Sequence, residues 1–201
     1  MPRTSERGGP QTRERIREAA AILFFERGYD AVTVAEVARA AGVSSVTVFN
    51  HFARKEDLFF DRTTDAVELV QSAIRDRAVG TDVVTALENM SLRLSEERSP
   101  LSGIDPRSEE FFRTVAGSPA LISRAREIAA ELQDVLIAEL ERDADFSGDA
   151  KLLAAFFIAG YSSLLVTTAG RVLAGERDES MVDDHRRRLD RLFAALRGGV
   201  A

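Results

Sequence analysis

The chain has 201 residues, 45% of them hydrophobic and 30% charged, with a formal net charge of -6, a balance that fits one or two folded domains and excludes a disordered or low-complexity protein. It contains no Cys, which excludes disulfides, thiolate metal sites and cysteine nucleophiles. His51 and His185 are the only histidines, so a zinc or non-haem iron site would rest almost wholly on carboxylates, and we expect no metal and no cofactor.

The N-terminal stretch has no apolar run of the kind a signal peptide needs, and the expected location is the cytoplasm. Residues 1–10 are expected as a disordered arm. Residues 1–17 carry five Arg against Glu6 and Glu14, a basic segment suited to lying along phosphates or to serving as a solvated tail. Charge is uneven over the whole chain: residues 1–60 hold nine basic and eight acidic groups, which leaves the remainder at -7.

From here the apolar periodicity is helical almost throughout, which predicts an all-α protein. Ile16, Ala20, Leu23 and Phe24 share one face of a first helix that Gly28 closes. Thr33-Val34-Ala35-Glu36 reads as a capping box that opens a second helix, with Val34, Val37, Ala38 and Ala41 inward and Gly42 ending it. Ser44 or Ser45 caps a third helix whose inward residues are Val48 and Phe52, four apart. Two short helices across a Gly-containing turn, after a longer supporting helix, form a helix-turn-helix whose second member suits a DNA major groove.

The run from Arg13 to Phe59, with Gly42-Val43-Ser44, Thr47, His51-Phe52, Lys55-Glu56 and Leu58 in order, resembles the DNA-binding segment of the tetracycline-repressor (TetR) family. The match spans about a quarter of the chain. The resemblance implies that Ser45, Val46 and Asn50 face base edges, and that Thr33, Ser44, Thr47, Phe49, His51 and Lys55 lie near phosphates. Phe49 stands where the family usually has Tyr and offers no donor, only apolar contact. Physical chemistry points the same way for two residues: a cation in the first turn of a helix opposes the macrodipole and wants an external anion, as Lys55 would, and the Asn50 amide can pair bidentately with adenine.

The helix-turn-helix domain is expected over 11–54 and a ligand-binding and dimerisation domain over 55–201. Leu58, Phe59, Ala66, Leu69, Val70 and Ala73 predict one helix from Lys55 to about Ala78, a lever able to transmit movement to the DNA-binding part. Val84, Leu87, Met90 and Leu94 line the next, and a break with two Pro follows over 99–106. Phe111, Phe112 and Val115 mark a short helix. Ser118 and Pro119 then open a long one reaching about Asp143.

Leu152 to Gly170 is 19 residues without a charge, long enough for a membrane span. The polar Ser162, Ser163, Thr167 and Thr168 and the amphipathic neighbours favour instead a helix buried in a soluble dimer. Small residues recur at Ala155, Ala159, Ser163 and Thr167 and permit close approach. The last helix has His185, Leu189, Leu192, Phe193 and Leu196 on its apolar face. By the resemblance these two helices form a homodimer interface, with His185 as a hydrogen-bonded residue within it. Met90, Leu94, Phe111, Phe112, Phe156, Phe157 and Tyr161 are candidates for a pocket that takes an apolar or aromatic effector, and each serves equally well as core.

The reading is a homodimeric, ligand-responsive repressor on a palindromic operator of double-stranded DNA, not an enzyme. An all-helical small-molecule enzyme or a helical interaction protein that does not bind DNA are the alternatives. No Gly-rich phosphate loop, ligand cluster or nucleophile motif supports the enzyme.

Overall fold

A computed structural model describes residues 9–105, 108–176 and 178–199. Residues 1–8 of the expected arm lie outside them, while Gly9 and Pro10 already belong to a helix. Among the described residues there are ten α-helices and no strand: α1 (Gly9–Arg27), α2 (Val34–Ala40), α3 (Ser45–His51), α4 (Lys55–Phe59), α5 (Thr63–Arg75), α6 (Val83–Glu96), α7 (Ser108–Gly117), α8 (Pro119–Arg142), α9 (Ala150–Leu173) and α10 (Glu179–Gly199), with a 3-10 turn at Pro100–Ser102. The all-α expectation holds.

The chain divides into two units. In the first, which runs to Thr63, α1 touches α2, α3 and α4, burying Ile16, Ala20, Val37, Ala38, Val48, Phe52 and Leu58. Residues 117–124 complete this unit. The Ser118 hydroxyl donates to Asp30 at 3.1 Å and Arg124 Nε donates to Asp57 at 2.8 Å. A boundary drawn at Arg54 misses both the α4 turn and this returning segment, because polar pairings across 67 and 88 residues leave no local trace in the sequence.

The helix expected from Lys55 to Ala78 is two helices. Phe60 leaves the helical region (φ -88, ψ 51), and the chain turns before Thr63, whose hydroxyl donates to the Phe60 carbonyl at 2.9 Å. Asp61, in the break, accepts from Arg17 of α1 at 3.0 Å. The apolar spacing of the two pieces is continuous, which is why periodicity alone joins them. A rigid lever from Lys55 to Ala78 is therefore withdrawn.

The second unit is built on longer helices. Leu87, Leu136, Leu140, Leu153, Phe157, Leu189, Phe193 and Leu196 form its core with Val70 and Ile74. A smaller cluster gathers Ile104, Val172 and Met181. α9 is long and apolar enough to cross a membrane, and one face of it, through Leu153, Ala154, Phe157, Ile158 and Leu164, is packed in this core. α10 approaches α9 so closely that a Cβ on Gly160 would sit 2.3 Å from Leu192 Cδ1.

Candidate nucleic-acid interface

α2 and α3 are too short to be stable alone, so their ends must be satisfied by side chains. At α2 the capping box is complete: Glu36 N–H donates to Thr33 Oγ1 at 3.3 Å, and the Glu36 carboxylate accepts from Thr33 N–H at 2.8 Å and from the Thr33 hydroxyl at 2.7 Å. Arg27 pairs with the other oxygen at 2.8 Å. The Thr33 bonds and then Arg27 hold the Glu36 carboxyl down at about 2. At α3 Thr47 N–H donates to Ser44 Oγ at 3.0 Å, and the two hydroxyls share a hydrogen bond of 2.9 Å. Ser44 is thus the N-cap, with Ser45 the first helical residue.

Burial fixes which way α3 faces. Val48 and Phe52 are 1% and 2% exposed, whereas Val46 is 69% and Phe49 51% exposed, with Asn50 also exposed. Positions 46, 49 and 50 share one helical face, so two apolar groups and one amide project together into solvent. Ser45, Thr47 and His51 are half-buried beside them, and Thr33 and Ser44 are exposed. From residue 37 to 55 the chain has no acidic residue and contains Arg39, Arg54 and Lys55. A solvated face of this kind suits a polyanion that presents apolar and amide-pairing groups.

Lys55 opens α4, and its ammonium is turned inward. Nζ donates to the Tyr29 carbonyl at 2.6 Å and lies 4.0 Å from the Tyr29 ring centroid and 5.9 Å from that of Phe24. Burial here pulls its pKa below the usual lysine value, against the attraction of Asp30, Glu56 and Glu36. The carbonyl takes one of the ammonium's three protons, and the Tyr29 ring face lies within cation–π reach of the rest of the group. Tyr29 and Phe24 were not foreseen: the contact spans 26 residues and follows no spacing rule.

The effector candidates separate. Met90, Leu94 and Phe157 are core, with Tyr161 packed against them; Phe157 lies 5.9 Å from Tyr161 and 6.0 Å from Phe193 between ring centroids. Burial pushes the Tyr161 phenol pKa up. Phe112 belongs to the smaller cluster with Ile104 and Val172, touching Phe111 at 5.7 Å. Phe111 is 39% and Phe156 53% exposed.

Of the expected interface residues, His185, Leu189, Phe193 and Leu196 are buried within the single chain. The apolar face of α10 packs on its own α6 and α9. His185 is held by Ser95 at 3.2 Å and Thr168 at 3.0 Å. Ala155, Thr167 and Leu192 are half-buried. Ala159 and Ser163 remain exposed, in line along α9 with Leu152, Phe156, Val166 and Leu173.

Residues 16–61 match the family described as bacterial regulatory proteins, tetR family. A similar curated protein is the HTH-type transcriptional repressor Rv1474c of Mycobacterium tuberculosis, 35% identical over 81 residues, which are 40% of this chain and 43% of that one. The chain thus matches less than half the length of that relative. Among solved structures, one assigned to the TetR-family transcriptional regulators of Mesorhizobium loti shares the fold at a TM-score of 0.59 and 17% identity, over 96% of this chain and 98% of that one. Thermus thermophilus FadR, a TetR-family transcriptional repressor solved with lauroyl-CoA, does so at 0.51 and 24% identity, over 88% and 92%.

Proposed function

We propose, from the match of residues 16–61 to the tetR family of bacterial regulatory proteins, that the protein is a ligand-responsive DNA-binding transcriptional repressor. The carrying observation is the solvent face of α3, where Val46, Phe49 and Asn50 project from a helix capped by Ser44 within an acid-free stretch. Asn50, Val46 and Ser45 read base edges, and Thr33, Ser44, Thr47, His51 and Lys55 meet phosphates.

The repressor acts in the cytoplasm as a homodimer on a palindromic operator. The exposed stripe of α9, with Ala159 and Ser163 between Phe156 and Val166, supports the pairing surface. The half-buried aromatic groups Tyr161 and Phe112 support an apolar or aromatic effector, and the fold neighbour FadR was solved with lauroyl-CoA. Release works by population shift: an effector that weakens operator binding 100-fold must favour the DNA-incompetent state by ~2.7 kcal/mol over the dimer.

The test is selection of a duplex from a random DNA pool by the purified protein. A recurrent inverted repeat is expected. Lys55→Ala should then weaken binding to all sequences alike and shallow the salt slope by ~1 per half-site, whereas Asn50→Ala should relax base preference at a cost of ~1–3 kcal/mol. A pool that yields no preferred sequence would overturn the proposal.

A further inference from the structure

We propose that Arg13 of α1 is the positioning residue that fixes the pitch of α3, a role that rests on α3 being the DNA-reading helix. α3 has seven residues and ends without a glycine cap; Phe52 is extended there (φ -136, ψ 111) and returns a single backbone bond, to Val48. Its terminal carbonyls carry the negative end of the helix dipole, where a cation is favourable. The Arg13 guanidinium supplies that cation. Nη1 donates to the His51 carbonyl, and the group lies over the Phe52 ring at 4.2 Å from its centroid.

A guanidinium is a rigid planar fork, so its contact with the ring and its bond to the carbonyl are fixed relative to one another. A lysine can make both kinds of contact, as Lys55 does with Tyr29, but its ammonium turns freely on a flexible stem and does not lock one to the other. The two Arg13 contacts hold the helix from its C-terminal end, while Val48 and Phe52 hold it from below at 1% and 2% exposure. Rotation of α3 about its axis decides whether Val46, Phe49 and Asn50 face out together, and recognition requires such a face to be held within a fraction of an ångström. An arginine counted by sequence as part of a basic arm thereby sets base reading without touching a base.

Arg13→Lys keeps the charge and removes the fork. Its binding is measured against the duplex selected by the wild-type protein and against calf-thymus DNA, each across a salt series. The expected result is a ~10-fold loss on the selected duplex, less than a ~2-fold loss on calf-thymus DNA and an unchanged salt slope. In the DNA-free protein the amides of α3 should exchange with deuterium faster while those of α2 do not. Phe52→Leu, which keeps burial and removes the ring, should give a similar loss that does not add to that of Arg13→Lys.

Equal losses on both DNAs would overturn the proposal; with a shallower slope they would make Arg13 a phosphate contact, and with an unchanged slope a general support of the fold. Wild-type binding and unchanged α3 exchange would also overturn it. If the wild-type protein selects no sequence, the reading of α3 fails and takes this role with it, an outcome that the exchange measurement keeps apart from a failure of the Arg13 clasp itself.

Discussion

The two units of this protein solve the same problem with different materials. In the first, α2, α3 and α4 have 7, 7 and 5 residues, lengths at which helix formation alone is unfavourable, and orientation comes from polar devices: the Thr33–Glu36 box, the Ser44 cap, Arg13 over Phe52 and Lys55 over Tyr29. In the second, α8 and α9 have 24 residues each and α10 has 21, and apolar burial dominates. Geometry held by a few directional contacts suits a rigid reading head. Geometry held by many interchangeable apolar contacts suits a part that repacks around a ligand.

Phe157→Ala should have the largest effect. The ring is 2% exposed and packs on Tyr161 and Phe193, so truncation should cost ~3–5 kcal/mol in chemical denaturation. The same measurement decides whether Phe157 is core or pocket wall. A loss below ~1 kcal/mol would mean that the site collapses or stands open, and would move Phe157 into the effector pocket.

Acid should separate the units next. Ser95 Oγ donates to the Ser91 carbonyl at 3.1 Å, so it can only accept from His185 Nε2, which leaves Nδ1 to accept from Thr168. The imidazole is neutral and satisfied. Burial pulls its pKa down to about 4, against the pull of Asp184. Because the folded value lies below the unfolded value of 6.5, the associated stability is complete above pH 6.5 and is lost as pH falls from there toward 4, on the order of 2–3 kcal/mol. Glu36, held at about 2 against an ordinary 4.5, makes a contribution that is present above 4.5 and lost only toward pH 2. Tyr29 and Tyr161 lie one in each unit, so Tyr→Phe variants report each separately by fluorescence. The second unit should weaken first on acidification, and His185→Gln should flatten its response between pH 6.5 and 4. A flat wild-type response over that range would refute the neutral-histidine assignment.

Legibility in the sequence follows the same division. Caps and turns are local, so Thr33, Glu36 and Gly42 announced both ends of α2, and Ser44, one of two candidate caps beside Ser45, announced the start of α3. The break at Phe60 was hidden because Leu58, Phe59, Ala66 and Leu69 keep helical spacing across it, and the Arg17–Asp61 pair that accompanies the turn spans 44 residues. Lys55 was foreseen at its place in the chain but not its inward contact with Tyr29. In the second unit the apolar pattern located the helices and could not rank their faces. Leu189, Phe193 and Leu196 satisfy an interface pattern and a core pattern equally, and only the packing of α6 on α10 decides that they are buried within one chain.

The smallest effects come from one motif used in both units. α2 ends with Gly42 at φ 65, Val43 N–H donating to Ala38 at 2.9 Å and Gly42 N–H to Arg39 at 3.2 Å, the paired bonds of a left-handed helix stop. α6 ends identically, with Ser99 N–H on Leu94 at 2.9 Å and Arg98 N–H on Ser95 at 3.1 Å, but the left-handed residue is Arg98 at φ 48. Ser44→Ala, which removes the next cap, should cost ~1 kcal/mol. At Gly42 a Cβ would meet no atom within 4 Å, so Gly42→Ala should cost only the backbone strain, ~1 kcal/mol, and Gly42→Asn less. Arg98→Gly runs the other way. Its side chain is exposed, and relief of the strain should exceed the added freedom of the unfolded chain, giving a gain of ~0.5–1 kcal/mol. Urea midpoints of the four variants at one pH provide the check. A destabilised Arg98→Gly would mean that the arginine side chain contributes more at that helix end than its backbone costs, and the parallel between the two stops would fail.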